Sequence, residues 1–299
     1  MSEVNKAVIR RIVEKGFNKH NFFVIAAVCL AVLCTVGSIS AQVGSWTTVP
    51  GSLSQIAVGS KNNIWGLNSA GSIFEYNGNG GWIQIPGTLT QISAGGDYTV
   101  LGVNSANQVY VYKFSKGTWK YLGFTATKVY AGGEYIGWGL GVSGGVGRYD
   151  PGTQALDSYT TPLTQISVSC DGDIWGLTAS GQVFTFNQQS QQFEQIAGVL
   201  SQIAVGFGNA VFGINSAGNV YQFDNATGNF VLLPGTLSKI VVGSNESVYG
   251  LNSAGNVFQY NVTSKTWTLL PGTFAHLAVA ADGTLWGLSS SGAISYYTP

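Results

Sequence analysis

The amino-acid sequence predicts an all-β fold, a seven-bladed β-propeller made of repeats of about 37 residues. The first observation behind this prediction is a recurring pair of an apolar residue and a glycine. The glycines of these pairs are Gly66, Gly102, Gly139, Gly176, Gly213, Gly250 and Gly287. Successive glycines are 36 or 37 residues apart, and six of the seven are preceded by an aromatic residue. This regular spacing indicates seven copies of one structural unit.

Two further markers recur in phase with the first. One is a mostly aromatic position at the start of each unit, occupied by Trp46, Trp82, Trp119, Leu156, Phe193, Phe230 and Trp267. The other is a Pro-Gly pair, intact in four units as Pro50-Gly51, Pro86-Gly87, Pro234-Gly235 and Pro271-Gly272. Three markers with one period place the repeats at roughly residues 46–297.

Each repeat is expected to form one four-stranded blade. The unit that starts at Trp46 reads WTTVP, QIAVG, IWGLN and SIFEYN, separated by short segments rich in Gly, Asn and Ser. Such runs are typical of β-strands, and no helical periodicity follows residue 41. The chain begins its repeats with one isolated strand and ends them with three. The N-terminal strand is therefore predicted to join the last blade and close the ring.

The small residues of the repeat also fit this geometry. The first strand of each blade ends in a small residue, as expected next to a crowded axis: Gly59, Gly95, Gly132, Ser169, Gly206, Gly243 and Ala280. The glycine after each mid-blade aromatic is expected to let a ring from the neighbouring blade lie close to the backbone. The repeated Asn-Ser-Ala-Gly segment supplies Asn and Gly for a tight turn with positive φ.

The N-terminal part lies outside the propeller, which is assigned to residues 42–299. Residues 1–20 are basic, with five Lys or Arg against two Glu. Residues 21–41 are predicted to form a hydrophobic helix, in which positions 22–39 carry no charge. This helix is either a signal peptide, cleaved after Ser40 or Ala41, or a single transmembrane anchor, and both alternatives remain open. In both cases the propeller is exported and secreted or held at the cell surface.

Composition excludes several classes of function. The chain has no net charge, and the part after residue 20 carries eight Lys or Arg against eleven Asp or Glu. A domain with this balance lacks the basic surface expected of a nucleic-acid-binding protein. Cys170 is the single cysteine of the propeller, so no disulfide stabilises it.

No motif predicts an enzyme, a metal site or a cofactor. The two histidines are His20, in the basic segment, and His276. The repeat position of His276 is occupied by Gln or Lys in all six other units, which indicates a surface strand position. These residues are Gln55, Gln91, Lys128, Gln165, Gln202 and Lys239. Asp150 and Asp157, in the irregular fourth unit, are the only weak candidates for catalysis.

Acidic residues recur in the loops between the first and second strands. These residues are Asp97, Glu134, Asp171, Asp173, Glu246 and Asp282. They form either a ring of ligand contacts on one face or ordinary turns in which the carboxylate accepts backbone N–H bonds. One carboxylate per blade cannot supply the six or more oxygens that calcium requires, and the turn interpretation is favoured.

The combined pattern resembles the tectonin repeat of tachylectin-like proteins. The segment WTTVPGSLSQIAVGSKNNIWGLNSAGSIFEYN at 46–77 follows it almost position by position, and the segment at 230–261 does the same. The resemblance implies a β-propeller lectin that binds bacterial lipopolysaccharide or glycans, in some members O-methylated sugars. The chain departs from the soluble lectins of that family, which look six-bladed, because it has seven repeats.

The leading hypothesis is an exported, multivalent carbohydrate-binding protein without a cofactor. Its partners would be glycans, and the membrane if the N-terminal segment is not cleaved. The candidate sugar-binding residues are the aromatic residues of the second strands and the residues of the loops that precede them: Trp65, Trp138, Trp175, Tyr249, Trp286, Asn63, Asp97, Tyr98, Glu134, Tyr135, Asp171, Asp173, Asn245 and Asp282. The alternative is a non-catalytic scaffold for protein–protein interaction at the cell surface.

Overall fold

Seven four-stranded antiparallel sheets make up the part of the chain that the computed structural model describes, residues 44–132, 137–142, 144–150 and 155–299. The described residues contain no helix, and residues 44–299 cluster as one compact unit. The prediction of an all-β, seven-bladed propeller is therefore confirmed. The expected N-terminal helix, at residues 21–41, lies outside the described residues.

The strands of each blade follow one another from the centre of the ring to its outside. The innermost strands are β2 (Gln55–Ser60), β6 (Gln91–Ala94), β10 (Lys128–Ala131), β14 (Leu163–Val168), β18 (Gln202–Gly206), β22 (Lys239–Val242) and β26 (His276–Val279). The second strands are β3 (Asn63–Leu67), β7 (Val100–Val103), β11 (Gly137–Leu140), β15 (Ile174–Thr178), β19 (Ala210–Ile214), β23 (Val248–Leu251) and β27 (Leu285–Leu288).

The outer half of each blade consists of two longer strands. The third strands are β4 (Ser72–Tyr76), β8 (Gln108–Lys113), β12 (Val146–Asp150), β16 (Gln182–Asn187), β20 (Asn219–Asp224), β24 (Asn256–Asn261) and β28 (Ile294–Thr298). The outermost strands are β5 (Trp82–Thr88), β9 (Thr118–Thr125), β13 (Ala155–Tyr159), β17 (Gln192–Val199), β21 (Asn229–Thr236), β25 (Thr266–Thr273) and β1 (Ser45–Val49).

The last sheet has the order β1-β28-β27-β26, so its outermost strand comes from the other end of the described chain. β1 and β28 are antiparallel, with Trp46 opposite Tyr297 and Val49 opposite Ile294. The indole Nε1 of Trp46 also donates a hydrogen bond to the carbonyl oxygen of Pro271 at 2.7 Å.

Each innermost strand contacts the innermost strand of the next blade, and β26 contacts β2. A narrow cavity of about 70 Å³ runs along the axis and is lined by small residues of these strands. A Cβ atom added to Gly95 would lie 2.5 Å from the carbonyl oxygen of Gly132, and one added to Gly206 would lie 2.6 Å from the carbonyl carbon of Gly243. The predicted crowding around the axis is confirmed.

The glycine of the mid-blade marker has a different role from the expected one. A Cβ atom on Gly66 would collide with Leu53, a residue in the connection that precedes the same blade. The same contact recurs at Gly102 with Leu89 and at Gly176 with Leu163. The prediction of a ring from the neighbouring blade at this glycine was wrong, because the contacting residue comes from the start of the same blade; it is a leucine in most blades and Phe274 at Gly287.

Neighbouring rings instead lie over the Pro-Gly pairs. The indole of Trp82 lies 3.5 Å from the Cβ position of Gly51, and the indole of Trp119 lies 3.8 Å from that of Gly87. Gly51 and Gly87 have φ values of 117° and 116°, which other residues rarely adopt. The Pro-Gly pair therefore has an unusual backbone conformation, and it forms the surface on which the first aromatic residue of the next blade packs.

The Asn-Ser-Ala-Gly segments form the turns between the second and third strands, as predicted. In the first blade, Asn68 Oδ1 accepts hydrogen bonds from the backbone N–H groups of Ala70 and Ser72 at 3.0 and 2.9 Å. Gly71 follows with φ of 77°. The asparagine thus replaces missing backbone partners in the turn, and Asn104, Asn215 and Asn252 make the same bonds in their own blades.

The ring has two ends with different connections. One end carries the turns between second and third strands, such as residues 68–71, and the connections between blades, and we call it the turn end. The opposite end carries the loops between first and second strands, such as residues 60–63, and the loops before the outermost strands, such as residues 77–81. We call it the loop end.

Candidate ligand-binding site

The five aromatic candidates on the second strands are packing residues. Trp65 is 0% exposed, and its ring contacts Tyr112 and Trp119 of the next blade with centroids 4.9 and 6.0 Å away. Comparable positions between blades are held by the other four candidates, Trp138, Trp175, Tyr249 and Trp286. Since neighbouring side chains already cover these rings, no sugar can stack on them. The sequence-based expectation for these five side chains is corrected.

Asn63 is also structural. It is buried, and its Oδ1 accepts a hydrogen bond from the indole Nε1 of Trp65 at 2.8 Å. Its Nδ2 donates to the carbonyl oxygen of Gly95, in the next blade, at 2.8 Å. The amide thus links two blades and has no exposed group for a ligand, which corrects the prediction for this residue.

Two of the acidic candidates connect the loops of adjacent blades. Asp171 Oδ2 accepts a hydrogen bond from the backbone N–H of Gly208 at 2.8 Å. Asp282 Oδ2 accepts the equivalent bond from Lys61 at 3.0 Å. Burial alone would raise the pKa of Asp282. The hydrogen bonds that the carboxylate accepts from Lys61 and Thr284, together with the positive charge of Lys61, outweigh this effect and lower the pKa. These contacts agree with the turn interpretation of the carboxylates.

Asp97 and Asp173 are the other two acidic candidates that the structure describes. Asp97 Oδ1 accepts a hydrogen bond from the backbone N–H of Thr99 at 3.0 Å. Burial, and after it the charge of Asp171, raises the pKa of Asp173. Within the described ranges, no group of three or more His, Cys, Asp or Glu residues could hold a metal ion.

Tyr98 and Asn245 are exposed at the loop end. Tyr98 has φ of 66°, is 48% exposed, and meets the ring of Phe114 edge-on at a centroid distance of 6.1 Å. Glu134 and Tyr135 lie outside the described residues. Among the candidates that the structure describes, one open aromatic side chain remains at the loop end, and these residues do not come together in one site.

A large cavity lies at the turn end, where blades 7, 1 and 2 meet. It has a volume of about 770 Å³ and a lining rich in hydroxyl and amide groups. Its polar lining residues are Ser54, Gln55, Asn68, Ser69, Thr88, Thr90, Ser105 and His276. We call this cavity the polar cleft. Sequence reasoning missed it because most of its polar residues belong to turns and connections, although the repeated exposed serine of Asn-Ser-Ala-Gly was a usable signal.

Two further cavities open at the same end. One, of about 500 Å³, includes Gln202, Lys239 and His276, and the other, of about 560 Å³, lies at the third blade and includes Thr125 and Ser158. Lys128, Lys239 and His276 begin their innermost strands at this end, and its turns and connections, as far as they are described, contain no Asp or Glu. The turn end is thus polar and weakly positive, whereas the acidic loops lie at the opposite end.

A series of side chains joins the innermost strands at the turn end. Gln91 donates from Nε2 to the carbonyl oxygen of Val129 at 2.9 Å and accepts from its N–H at 2.8 Å. Gln202 makes the same pair of bonds with Ile240. His276 occupies this position in the last blade, as the exposed first residue of β26, which confirms its predicted place on a surface strand.

The acids considered for catalysis are on the third blade. Asp150 ends β12, and Asp157 lies exposed on β13, where its Cα is opposite Arg148.

Within the described part of the chain no helix is long and apolar enough to cross a membrane.

Comparison with known proteins agrees with the repeat pattern. The model of the tectonin domain matches residues 35–116 and 110–266. A search of curated proteins found no matching sequence. Among solved structures, one described as YCF48 bound to D1 peptide has a TM-score of 0.66 at 11% identity, covering 88% of this chain and 97% of its own.

A second solved structure, YCF48 from Cyanidioschyzon merolae, has a TM-score of 0.64 at 14% identity and covers 85% of this chain and 99% of its own. At such low identity, these two similarities show a shared fold alone. The family model, in contrast, matches well over half of the chain at the positions of the repeats. The chain belongs to the tectonin domain family.

Proposed function

We propose that this protein is a lectin-like carbohydrate-binding protein whose main site is the polar cleft. The observation that carries the proposal is the lining of this cavity, in which hydroxyl and amide groups predominate and His276 is the one ionisable side chain. Such groups match the many hydroxyls of a sugar, with which they exchange hydrogen bonds. The proposal places the site at the turn end rather than in the acidic loops.

The repetition of the fold supports binding to glycans with several copies of one epitope. Three cavities open at the turn end, at different positions around the ring. When several weak sites engage one multivalent surface, the later binding events are intramolecular and the overall affinity rises by orders of magnitude. A glycan-coated surface is therefore a better target for this protein than a free monosaccharide.

The alternative function is that of a protein-interaction scaffold. It is favoured by exposed aliphatic side chains on neighbouring outermost strands, Val231 and Leu232 on β21 and Leu269 on β25, the last two 60% and 59% exposed. The structurally similar YCF48 is described as bound to a peptide. This alternative predicts that Leu232→Ser weakens a partner complex and leaves glycan binding unchanged.

Substitutions at the mouth of the polar cleft test the lectin proposal. Ser69 and Ser105 are exposed turn residues that line the cleft. The double variant Ser69→Ala and Ser105→Ala is expected to weaken binding on a glycan array about 5- to 150-fold, since each lost hydrogen bond contributes roughly 0.5–1.5 kcal/mol. Binding to the glycans that the wild-type protein selects is the measurement.

Ser253→Ala is the matched control for this experiment. Ser253 has the same exposed position in the turn of another blade but does not line the polar cleft. It should leave both the melting temperature and the selected glycans unchanged. Equal losses in the control and in the double variant, or no selective binding by the folded wild-type protein, would contradict the proposed site.

We also propose that the chain is exported by its N-terminal segment, with residues 21–41 serving as a signal peptide or a membrane anchor. The proposal is supported by the uncharged stretch at 22–39 behind a basic segment. Mass spectrometry of the protein from its native membrane and medium fractions tests it. A mature N-terminus near residue 41 or 42 would identify cleavage, an intact one in the membrane fraction would identify an anchor, and an intact soluble protein inside the cell would contradict export.

We infer that β1 closes the ring. The inference is supported by its pairing with β28 and by the contacts of Trp46 with Pro271, Phe274 and Tyr297. Trp46→Ala removes these contacts and should lower the free energy of unfolding by about 3 kcal/mol. Hydrogen exchange should then accelerate most in β28. Uniform acceleration in all blades would argue against closure by this strand.

A further inference from the structure

Lys239 and His276 interrupt the series of side chains that joins the innermost strands. At this position Gln91 and Gln202 each use one amide to donate to and accept from the next strand. Lysine has donors only. Lys239 Nζ donates to the carbonyl oxygen of Ala275 at 2.6 Å and lies 3.5 Å from His276 Nδ1. Two nitrogen-bearing side chains therefore stand side by side between blades 6 and 7.

The contact with Lys239 determines which ring nitrogen of His276 can donate a hydrogen bond to a ligand. Because an ammonium group can only donate, Nδ1 acts as the acceptor in this contact when the imidazole is neutral. The neutral ring then carries its proton on Nε2, which remains available for a ligand. The ammonium group also has N–H bonds beyond the one it gives to Ala275. The pair thus offers hydrogen-bond donors and positive charge.

The pair lies where two cavities meet. His276 lines both the polar cleft and the cavity of about 500 Å³, and Lys239 lines the latter. A ligand whose sugar hydroxyls occupy the polar cleft would therefore extend past His276 toward Lys239. This position is different from that of Lys128, which has the same place in the repeat but is followed in the next blade by Gln165.

Few charges oppose an anion at this position. Among the polar side chains that line the same cavities as His276, Lys239 on β22 is charged, whereas Gln55, Gln165 and Gln202 are neutral. Tyr249, which lines the cavity of about 500 Å³, is neutral as well, because burial and then the charge of Tyr297 raise the pKa of its hydroxyl. Lys61, which follows β2, and Asp282, between β26 and β27, lie at the loop end, where they contact each other. Burial, followed by the charge of Lys239, lowers the pKa of His276.

We propose that Lys239 and His276 bind the anionic substituent, a carboxylate or a phosphate, of a glycan whose neutral part lies in the polar cleft. This inference rests on the proposed function and names its ligand class as acidic glycans. At neutral pH a carboxylate supplies only acceptors, and a phosphate monoester, whose second pKa is about 6, supplies mainly acceptors. Either group would match the Lys239 N–H groups and the Nε2–H of His276. Hydrogen bonds of this charge-assisted kind are stronger than those between neutral groups.

The proposal predicts a characteristic pH dependence. A bound anion favours the protonated imidazole and raises the pKa of His276 from its lowered value in the free protein. The complex then binds more protons than the free protein, so affinity for the acidic ligand rises as pH falls through the pKa of the complex. A neutral sugar has no charge to interact with the imidazolium and should show a nearly flat pH profile over the same range.

The test compares three ligands on the full chain in detergent: methyl glucoside, methyl glucuronide and glucose 6-phosphate. Histidine NMR signals report the pKa of His276, which is assigned by comparison with His276→Gln, because His20 is the only other histidine. At pH 6 at least one acidic sugar should bind about 5-fold or more tighter than methyl glucoside and raise the pKa of His276. The two acidic ligands distinguish a carboxylate from a phosphate.

Three variants separate the roles of the side chains, and each introduces the glutamine found in other blades. His276→Gln should abolish the rise in affinity between pH 7.5 and pH 5.5. Lys239→Gln should remove most of the preference for the acidic sugar while retaining methyl glucoside binding. Lys128→Gln is the control and should change neither property, although it removes the same charge from the same end of the ring.

The outcomes distinguish the two proposals. If methyl glucoside binds and the acidic sugars bind no tighter, the anion site is overturned and the lectin proposal remains. If an acidic sugar binds and shifts His276 but the neutral one does not, the anion site stands and the polar cleft contributes little. If no ligand binds and the pKa of His276 does not move, both proposals are overturned. If Lys128→Gln lost the preference for the acidic sugar to the same extent as Lys239→Gln, the preference would come from the overall charge of the turn end. This result would also overturn the anion site.

Discussion

Gly243→Val is expected to destabilise the propeller by about 3 kcal/mol or more and to lower the yield of folded protein. Gly243 lies at the axis, where an added Cβ atom would overlap the backbone carbonyl of Ala280 in the next blade. A β-branched side chain enlarges this overlap, and the innermost strands cannot move apart without disturbing the whole ring. Overpacking of a rigid interior typically costs 1–3 kcal/mol, and more where backbone must move. Chemical denaturation of the purified variant measures the change.

Gly147→Ala provides the comparison for this variant. Gly147 lies on the third strand β12, and an added Cβ atom there would make ordinary contact with Leu156 at 3.5 Å. Its unfolding free energy should stay within about 1 kcal/mol of the wild-type value. If both variants were equally stable, the axis would be more adaptable than its contacts indicate.

Trp65→Ala is expected to lower the unfolding free energy by about 3–5 kcal/mol, as large-to-small substitutions in a core do. The variant removes a fully buried ring from its contacts with Tyr112 and Trp119 and leaves Asn63 Oδ1 without its indole donor. For a domain of this size, such a loss lowers the melting temperature by roughly 6–20 °C. Thermal unfolding followed by near-ultraviolet circular dichroism measures it.

Two comparisons separate packing from binding at this position. Trp65→Phe introduces the residue that occupies the equivalent place at Phe212 and should recover much of the stability. Tyr98→Ala removes an exposed ring and should change the melting temperature little. If folded Trp65→Ala protein lost glycan binding with unchanged stability, the buried ring would have to be assigned to the site after all.

The repeat made much of the fold predictable. The residues of each blade are local in sequence, so the period, the strand-forming runs and the turn residues carry the information for one blade. Asn68 and Gly71 illustrate this, because their hydrogen bonds and positive φ are satisfied within five residues. The small residues at the axis were also predictable, since seven innermost strands must converge there.

The candidate site was much less predictable. In sequence, Trp65 fits packing between blades better than it fits a sugar platform, but only its contacts with Tyr112 and Trp119 establish the packing role. Gly66 was misjudged for a similar reason, since the leucine that packs on it comes from a connection and not from a neighbouring ring. Side chains from neighbouring repeats and connections determine exposure, and periodicity does not report their packing.

By itself, the sequence determined the seven-bladed ring, its turns and the surface position of His276, because these follow from local patterns repeated at a constant spacing. Only the tertiary structure decided which aromatic rings are covered, at which end the cavities open, and that Lys239 Nζ lies 3.5 Å from His276 Nδ1. The physical reason is that burial and proximity arise between blades, from side chains about one repeat apart in the chain.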